Sequence, residues 1–201
     1  FVSIAIVIAA SVTKTGGGTV VFDGANTYTG PTTVSQGTLQ ITAASALGSS
    51  AVAVAAGATL SIGPQVQASV PSLANAGLVD LGRGSLTVSA GLTASGLVEQ
   101  IMNGIVNGGT TGITSSTAAS TGGAFTVGWL DNGDGSFTAS YAAAGESNLD
   151  DVVDLTDLLN TVGSGFYDTA DPANWSQGDF NYDGVSDLTD LLSLIGGGLY
   201  D

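Results

Sequence analysis

The residues whose types and spacing can do chemistry lie near the C-terminus, in two acidic segments of twelve residues each, 146–157 and 179–190. In the second segment, oxygen-bearing side chains fall at positions 1, 3, 5, 9 and 12: Asp179, Asn181, Asp183, Asp187 and Asp190. Gly184 stands at position 6, where such a loop turns sharply, and the main-chain carbonyl of Val185 is available at position 7. Hard oxygen donors, about six or seven of them on a flexible loop that runs straight into a helix, are calcium ligands. Magnesium fits poorly, because it demands a near-ideal octahedron and holds its water. The first segment offers Glu146, Asn148, Asp150, the Val152 carbonyl, Asp154 and Asp157, with Glu in place of Asp at position 1 and Asp151 in place of Gly at position 6. The expectation is two calcium ions, one per loop.

Both loops belong to a duplication with an offset of 33 residues, in which 13 of the 23 positions of 146–168 recur in 179–201. A helix is predicted over 188–195, with Leu191, Leu192, Leu194 and Ile195 as its apolar face and Gly196 ending it. Between the copies, Asp171-Pro172 reads as an N-cap and first helical residue of a short turn reaching Trp175.

Charge sets this tail apart from the rest. Residues 146–201 hold twelve acids and no base, so −12 of the total −15 lies there, whereas residues 1–145 carry only Asp23, Asp80, Glu99, Asp131 and Asp134 against Lys14 and Arg83. A segment this acidic repels nucleic acid and anionic membrane surfaces and collects cations. Two domains are expected, 1–145 and 146–201. The chain has neither cysteine nor histidine, so zinc sites built on them, thiol catalysis, a Ser-His-Asp triad and histidine proton shuttles are all excluded. A hydrophobic content of 43% over 201 residues argues for a folded chain.

What positions the tail is a repetitive body. A glycine followed by an apolar alternation recurs at Gly18, Gly37, Gly57, Gly77 and Gly96, in steps of 19, 20, 20 and 19 residues. The stretches between are rich in Gly, Ser, Thr, Asn and Pro, which form turns and leave little room for helices. Short strands at a fixed pitch, each too small to bury its own face, fit a parallel β-solenoid whose coils stack into ladders of Val, Leu and Ile about 4.8 Å apart. An antiparallel β-sandwich is the alternative, though it has no reason to keep so constant a step. Ala124–Leu130 and Ser136–Ala142 alternate like two strands joined by Asp131-Asn-Gly-Asp-Gly135, a hairpin turn signature, and this pair is expected to close the solenoid. Asp131, Asn132 and Asp134 are read as turn formers, with an ion site as the rival reading. Residues 1–10 are too few to span a membrane, which takes about 20 apolar residues. Three readings of them stand open: a solenoid strand, a strand that pairs with a neighbouring subunit, or the remnant of a signal peptide.

Residues 12–41, Val12-Thr-Lys-Thr-Gly-Gly-Gly-Thr-Val-Val-Phe-Asp-Gly-Ala-Asn-Thr-Tyr-Thr-Gly-Pro-Thr-Thr-Val-Ser-Gln-Gly-Thr-Leu-Gln-Ile41, resemble the autotransporter-associated β-strand repeat of bacterial surface proteins. The distinctive core is Gly24-Ala-Asn-Thr-Tyr-Thr-Gly30, followed by Thr32-Thr-Val and Gly37-Thr-Leu. The resemblance implies a secreted or surface-exposed right-handed β-helix, acting as a passenger or stalk. The tail, with its EF-hand-like loops and with Asp157 and Asp190 at position 12, resembles a type I dockerin. That implies a calcium-folded pair of loop-helix units with near two-fold symmetry, which docks onto a cohesin. At the partner-reading positions this chain has Leu155-Thr156 and Leu188-Thr189, not the commoner Ser/Thr pair.

The fold expected is therefore mainly β, a right-handed parallel β-helix closed by a hairpin and followed by a small α calcium-binding loop-helix pair. The function expected is non-enzymatic: a calcium-stabilised subunit of an extracellular or cell-surface assembly, self-associating head to tail into a fibre. No nucleic-acid binding and no membrane insertion are expected. A cohesin-binding scaffold or adhesin component is the alternative. A polysaccharide-acting β-helix enzyme is the more distant rival, since the body offers only Asp23, Asp80 and Glu99 outside the turn as carboxylates.

Overall fold

A computed structural model describes residues 10–106 and 108–196. The strand expected over 1–10 lies, apart from Ala10, outside the described residues. The chain divides into two compact units, one of residues up to Thr117 together with Asp131–Thr138, the other of Ala118–Leu130 together with the residues from Ala139 onward.

The first unit runs through β1 (Val12–Lys14), β2 (Thr19–Phe22), β3 (Thr32–Val34), β4 (Gly37–Ile41), β5 (Val52–Val54), β6 (Ala58–Ile62), β7 (Gln67–Val70), β8 (Leu73–Asn75), β9 (Leu78–Asp80) and β10 (Ser85–Val88). Helix α1 (Ala94–Val106), strand β11 (Gly112–Thr114) and the short helix α2 (Ser116–Ala119) come next. One sheet has the order β1-β3-β5-β8 and another β11-β9-β6-β4-β2, with every described pairing parallel. A third face pairs β7 with β10, also in parallel. This is a β-solenoid of about four turns.

Its register explains its core. Val20, Leu39, Leu60, Val79 and Ile113 are cross-strand partners in one column, and Phe22, Ile41 and Ile62 stack beside them. From Leu39 to Ile113 the first column is 0–1% exposed. Such ladders remove a continuous apolar stripe from water that no single coil could bury. In the first sheet the inward column reads Lys14, Val34, Val54, Asn75, so its two valines are bracketed by polar residues. At one end the Lys14 Nζ donates to the carbonyls of Thr15 (3.0 Å), Gly16 (2.6 Å) and Gln36 (2.9 Å). At the other, Asn75 Nδ2 donates to Gln100 Oε1 and to the Gly112 carbonyl, each at 2.9 Å.

Two features depart from the glycine-spaced reading. Each coil carries a second strand, as β3, β5 and β8 do, in stretches whose composition reads as turn. The fifth glycine segment, Gly96–Ile101, is helix and not strand: it lies within α1. Leu97, Ile101 and Gly104 recur at helical spacing and are the buried residues of α1. Thr93 also offers its hydroxyl to the Gly96 N–H at 3.1 Å, as a helix N-cap does. The next strand of the second sheet is supplied by β11, 34 residues beyond its partner β9. Gly104 lets the helix approach it, since a Cβ there would lie 2.0 Å from the Ile113 carbonyl oxygen.

The second unit contains the facing stretches of β12 (Phe125–Asp131) and β13 (Phe137–Ala143), then α3 (Leu155–Val162), a 3-10 turn (Trp175–Gln177) and α4 (Leu188–Gly196). Phe125 and Tyr141 stack with ring centroids 4.7 Å apart. Trp175 is fully buried. Gly128 makes room for it, because a Cβ at that position would come within 2.7 Å of the indole. The short turn before Trp175 starts later than its proline suggests: Asn174, not Asp171, caps it by accepting the Gln177 N–H. Among the described residues no helix is long and apolar enough to cross a membrane.

Candidate metal centre

The two acidic loops share one backbone track. Leu149 and Tyr182, both at position 4, have φ of 58° and 65°, and Asp151 and Gly184, both at position 6, have φ of 72° and 91°. Position 6 thus adopts the left-handed conformation in both copies, although the first places an aspartate there.

The hydrogen bonds repeat as well. Asn148 Oδ1 accepts from the Asp150 N–H (3.0 Å) and Asn181 Oδ1 from the Asp183 N–H (2.7 Å). Asp150 Oδ1 accepts from Val152 (3.0 Å), and Asp183 Oδ1 from Val185 (3.1 Å). Asp154 and Asp187 cap α3 and α4 through the N–H groups of Thr156 and Thr189. The position-12 carboxylates reach back across their loops: Asp157 accepts from the Ser147 and Asp154 N–H groups, and Asp190 from those of Phe180, Asn181 and Asp187. Both are fully buried. Carboxylates held by two or three main-chain donors are fixed in place.

Position 1 is where the loops differ. Glu146 is 1% exposed and accepts the Asp150 N–H at 2.7 Å. Burial pushes its carboxyl up to about 7, and the charges of Asp157, Asp150 and Asp151 add to that. Asp179 is 6% exposed; one oxygen accepts the Gly184 N–H at 3.1 Å, while Oδ1 is buried with no hydrogen-bond partner. Burial, then the charges of Asp190 and Asp183, push it up to about 6. Burial also raises Asp190. An unpaired carboxylate oxygen inside a protein is costly, and a divalent cation is the partner that a hard oxygen among other acids would take.

Local hydrogen bonds therefore link the predicted residues within each loop, in matching order. Among the described residues no three His, Cys, Asp or Glu side chains converge closely enough to hold a metal by themselves. A cation in these loops would also draw on Asn148, Asn181 and the carbonyls of Val152 and Val185. Asp131, Asn132 and Asp134 serve their turn: Asp131 accepts the Gly133 N–H, Asp134 the Ser136 N–H and hydroxyl, and Asn132 donates to Ser136 and Thr138. The Ser136 bonds hold the Asp134 carboxyl below its usual range. In the body, Asp80 accepts from the Gly82 and Ser116 N–H groups.

Two features were not read from the sequence. The apolar residues of α3 and α4 face outward at matching positions: Leu155, Leu159 and Val162 are 57, 57 and 42% exposed, and Leu188, Leu192 and Ile195 are 61, 59 and 55%. Leu194 is the buried apolar residue of α4, so Leu192 and Ile195 do not belong to its core face. The spacing i, i+4, i+7 marks a stripe on each helix, but nothing in it tells an inward stripe from an outward one. The second feature is the pivotal place of Trp175, whose indole N–H donates to the Glu146 carbonyl at 2.7 Å.

The repeat core in the body is structural. Asn26 Nδ2 donates to the Ala46 carbonyl one coil on, at 2.7 Å, and a buried hydroxyl chain links Tyr28 to Thr32 and Thr32 to Ser50, each at 2.7 Å. No curated protein and no solved structure matches the chain. Residues 12–41 match the model of the passenger-associated-transport-repeat, and so are similar to a repeat of transported passengers over the segment that forms β1 to β4.

Proposed function

We propose that this chain is a secreted or surface-exposed structural protein, a passenger-like solenoid with a calcium-stabilised tail, associating head to tail in a surface assembly or fibre. The observation that carries the passenger role is the repeat match at residues 12–41 within a β-solenoid. Asn26 of its distinctive core bonds to the next coil directly, and Tyr28 does so through Thr32 and Ser50, which is what a repeat built for extension needs. Right-handed winding agrees with the handedness of parallel crossovers, and the β12–β13 pair is read as the element that closes the coil.

Calcium in the tail is supported by the duplicated oxygen donors, the matching backbone of the two loops and the partnerless Asp179 Oδ1. The ligands proposed are Asp179, Asn181, Asp183, Val185, Asp187 and Asp190, with Glu146, Asn148, Asp150, Val152, Asp154 and Asp157 in the first loop. Calorimetric titration of the full chain with calcium chloride tests this, with two ions expected and no heat of binding overturning it. Electron microscopy with and without chelator tests the assembly. Filaments that disperse on chelation support it, and a monodisperse monomer at high concentration with calcium counts against it.

One observation favours a second reading, a tail that docks onto a separate cohesin-like protein. The exposed stripes on α3 and α4 are apolar surface that a lone soluble domain has little reason to keep.

A further inference from the structure

The aromatic residues between the two loops form a continuous path from one to the other. Phe180 and Tyr182 are positions 2 and 4 of the second loop, and both rings meet Trp175: Phe180 edge-on at 5.1 Å between centroids, Tyr182 tilted at 5.7 Å. Phe180 is held from the ligand side, its N–H donating to Asp190 Oδ1 at 2.9 Å. Tyr182 is held from the far side, its hydroxyl donating to the Val127 carbonyl. Trp175 then reaches position 1 of the first loop through its indole N–H and the Glu146 carbonyl, and the Glu146 side chain accepts the Asp150 N–H of that loop. Gly128 approaches the indole closely, a Cβ there lying 2.7 Å from it, and in a close-packed interior a shift of one ring strains its neighbours.

We infer that the two loops take up their cations cooperatively, and that Trp175 is the positioning residue that couples them. The inference rests on the calcium reading above. A cation at the second loop fixes the backbone between Asp179 and Asp183, and with it the two aromatic residues that seat the indole. The seated indole holds the Glu146 main chain where the first loop needs it. The conformational cost of ordering the shared cluster falls on the first ion, and the second binds to a protein already ordered. Coupling of this kind is reciprocal by thermodynamic necessity and typically amounts to about 5- to 150-fold in affinity.

The test uses the full chain and calcium chloride, read by calorimetry. Asp183→Ala disables the second loop at an exposed ligand, and Asp150→Ala disables the first in the same way. The affinity of each surviving loop is expected to fall about tenfold relative to the same loop in the intact chain, by the same factor in both directions. Repeating the pair in a Trp175→Phe background, which keeps an aromatic ring but removes the N–H, should bring that factor close to one. A merely structural tryptophan would weaken both loops alike and leave their mutual dependence unchanged. If Trp175→Phe fails to fold, the reciprocal measurement in the natural chain still decides whether coupling exists, and Tyr182→Phe, which frees the cluster from Val127, takes the place of the tryptophan variant. Two ions binding with affinities indifferent to the other loop overturn the coupling and leave the calcium reading standing. No binding of calcium at all overturns the calcium reading itself.

Discussion

In the solenoid unit, buried polar groups find partners within the chain: Lys14 meets three carbonyls, and Tyr28, Thr32 and Ser50 meet one another. In the C-terminal unit the opposite holds at one point, where Asp179 Oδ1 and Ser186 Oγ, at positions 1 and 8 of one loop, are the buried polar side-chain atoms of the described residues without a partner. The first unit spreads its stability along ladders that need nothing from outside. The second buries carboxylates, Glu146, Asp157, Asp179 and Asp190, and burial of their charge opposes folding.

Chelation separates the two most sharply. Removing calcium from the full chain is expected to abolish the helical signal and protease resistance of the segment from Glu146 onward, while the β signal of the solenoid persists. Circular dichroism with limited proteolysis and mass spectrometry reads both, and a tail that keeps its helices in chelator would erase the distinction. The converse perturbation is Leu60→Ala, at the centre of the longest column and fully buried. It should cost the solenoid about 2–5 kcal/mol in denaturant unfolding, by the same amount with and without calcium.

A smaller effect has a sign that tells the two states apart. Glu146 at about 7 and Asp179 at about 6 lie above their unfolded values of roughly 4.3 and 3.9. Groups raised on folding bind more protons in the native state, so their favourable contribution is full below about pH 4 and is lost as pH rises through 6 to 7. In chelator the tail should therefore regain helical signal at pH 5 that it lacks at pH 8. With calcium present the order should reverse, because protons compete for the same oxygens. Far-UV circular dichroism across that range, with and without calcium, checks it, and equal slopes in the two conditions would count against a cation at position 1. The smallest expected effect is none: Asp131→Ala, in the turn between β12 and β13, should leave the calcium stoichiometry unchanged in a titration. A lost ion would move that turn from the structural side of the comparison to the binding side.

The repeat was legible because stacking imposes it: equal coils need equal lengths, and Gly18, Gly57 and Gly77 each precede a strand of one sheet while Gly37 opens another of its strands. Gly96 kept the spacing and misled, since a glycine period does not fix the conformation of the residues after each glycine, and the side chains from Leu97 to Gly104 keep the helical period. The second strand of each coil was hidden for a related reason. Segments such as Thr32–Val34 and Val52–Val54 are three residues long, too short for alternation to rise above the turn-forming residues around them.

For the loops, the sequence alone determined donor type, order and duplication, because ligand spacing along a loop is a local property of the chain. The caps of α3 and α4 are equally local, Asp154 and Asp187 lying two residues before the N–H groups they accept. Only the tertiary structure decided which carboxylates are buried, that Asp179 Oδ1 lacks a partner, and that Trp175 stands between the loops. Those properties depend on residues far apart in the chain, Gly128 against Trp175 and Trp175 against Glu146. Burial and long-range contact are set by how distant segments pack, which no local spacing records. The outward turn of Leu155, Leu159, Leu188 and Leu192 is of the same kind: helical period defines a stripe, and only packing decides which way it faces.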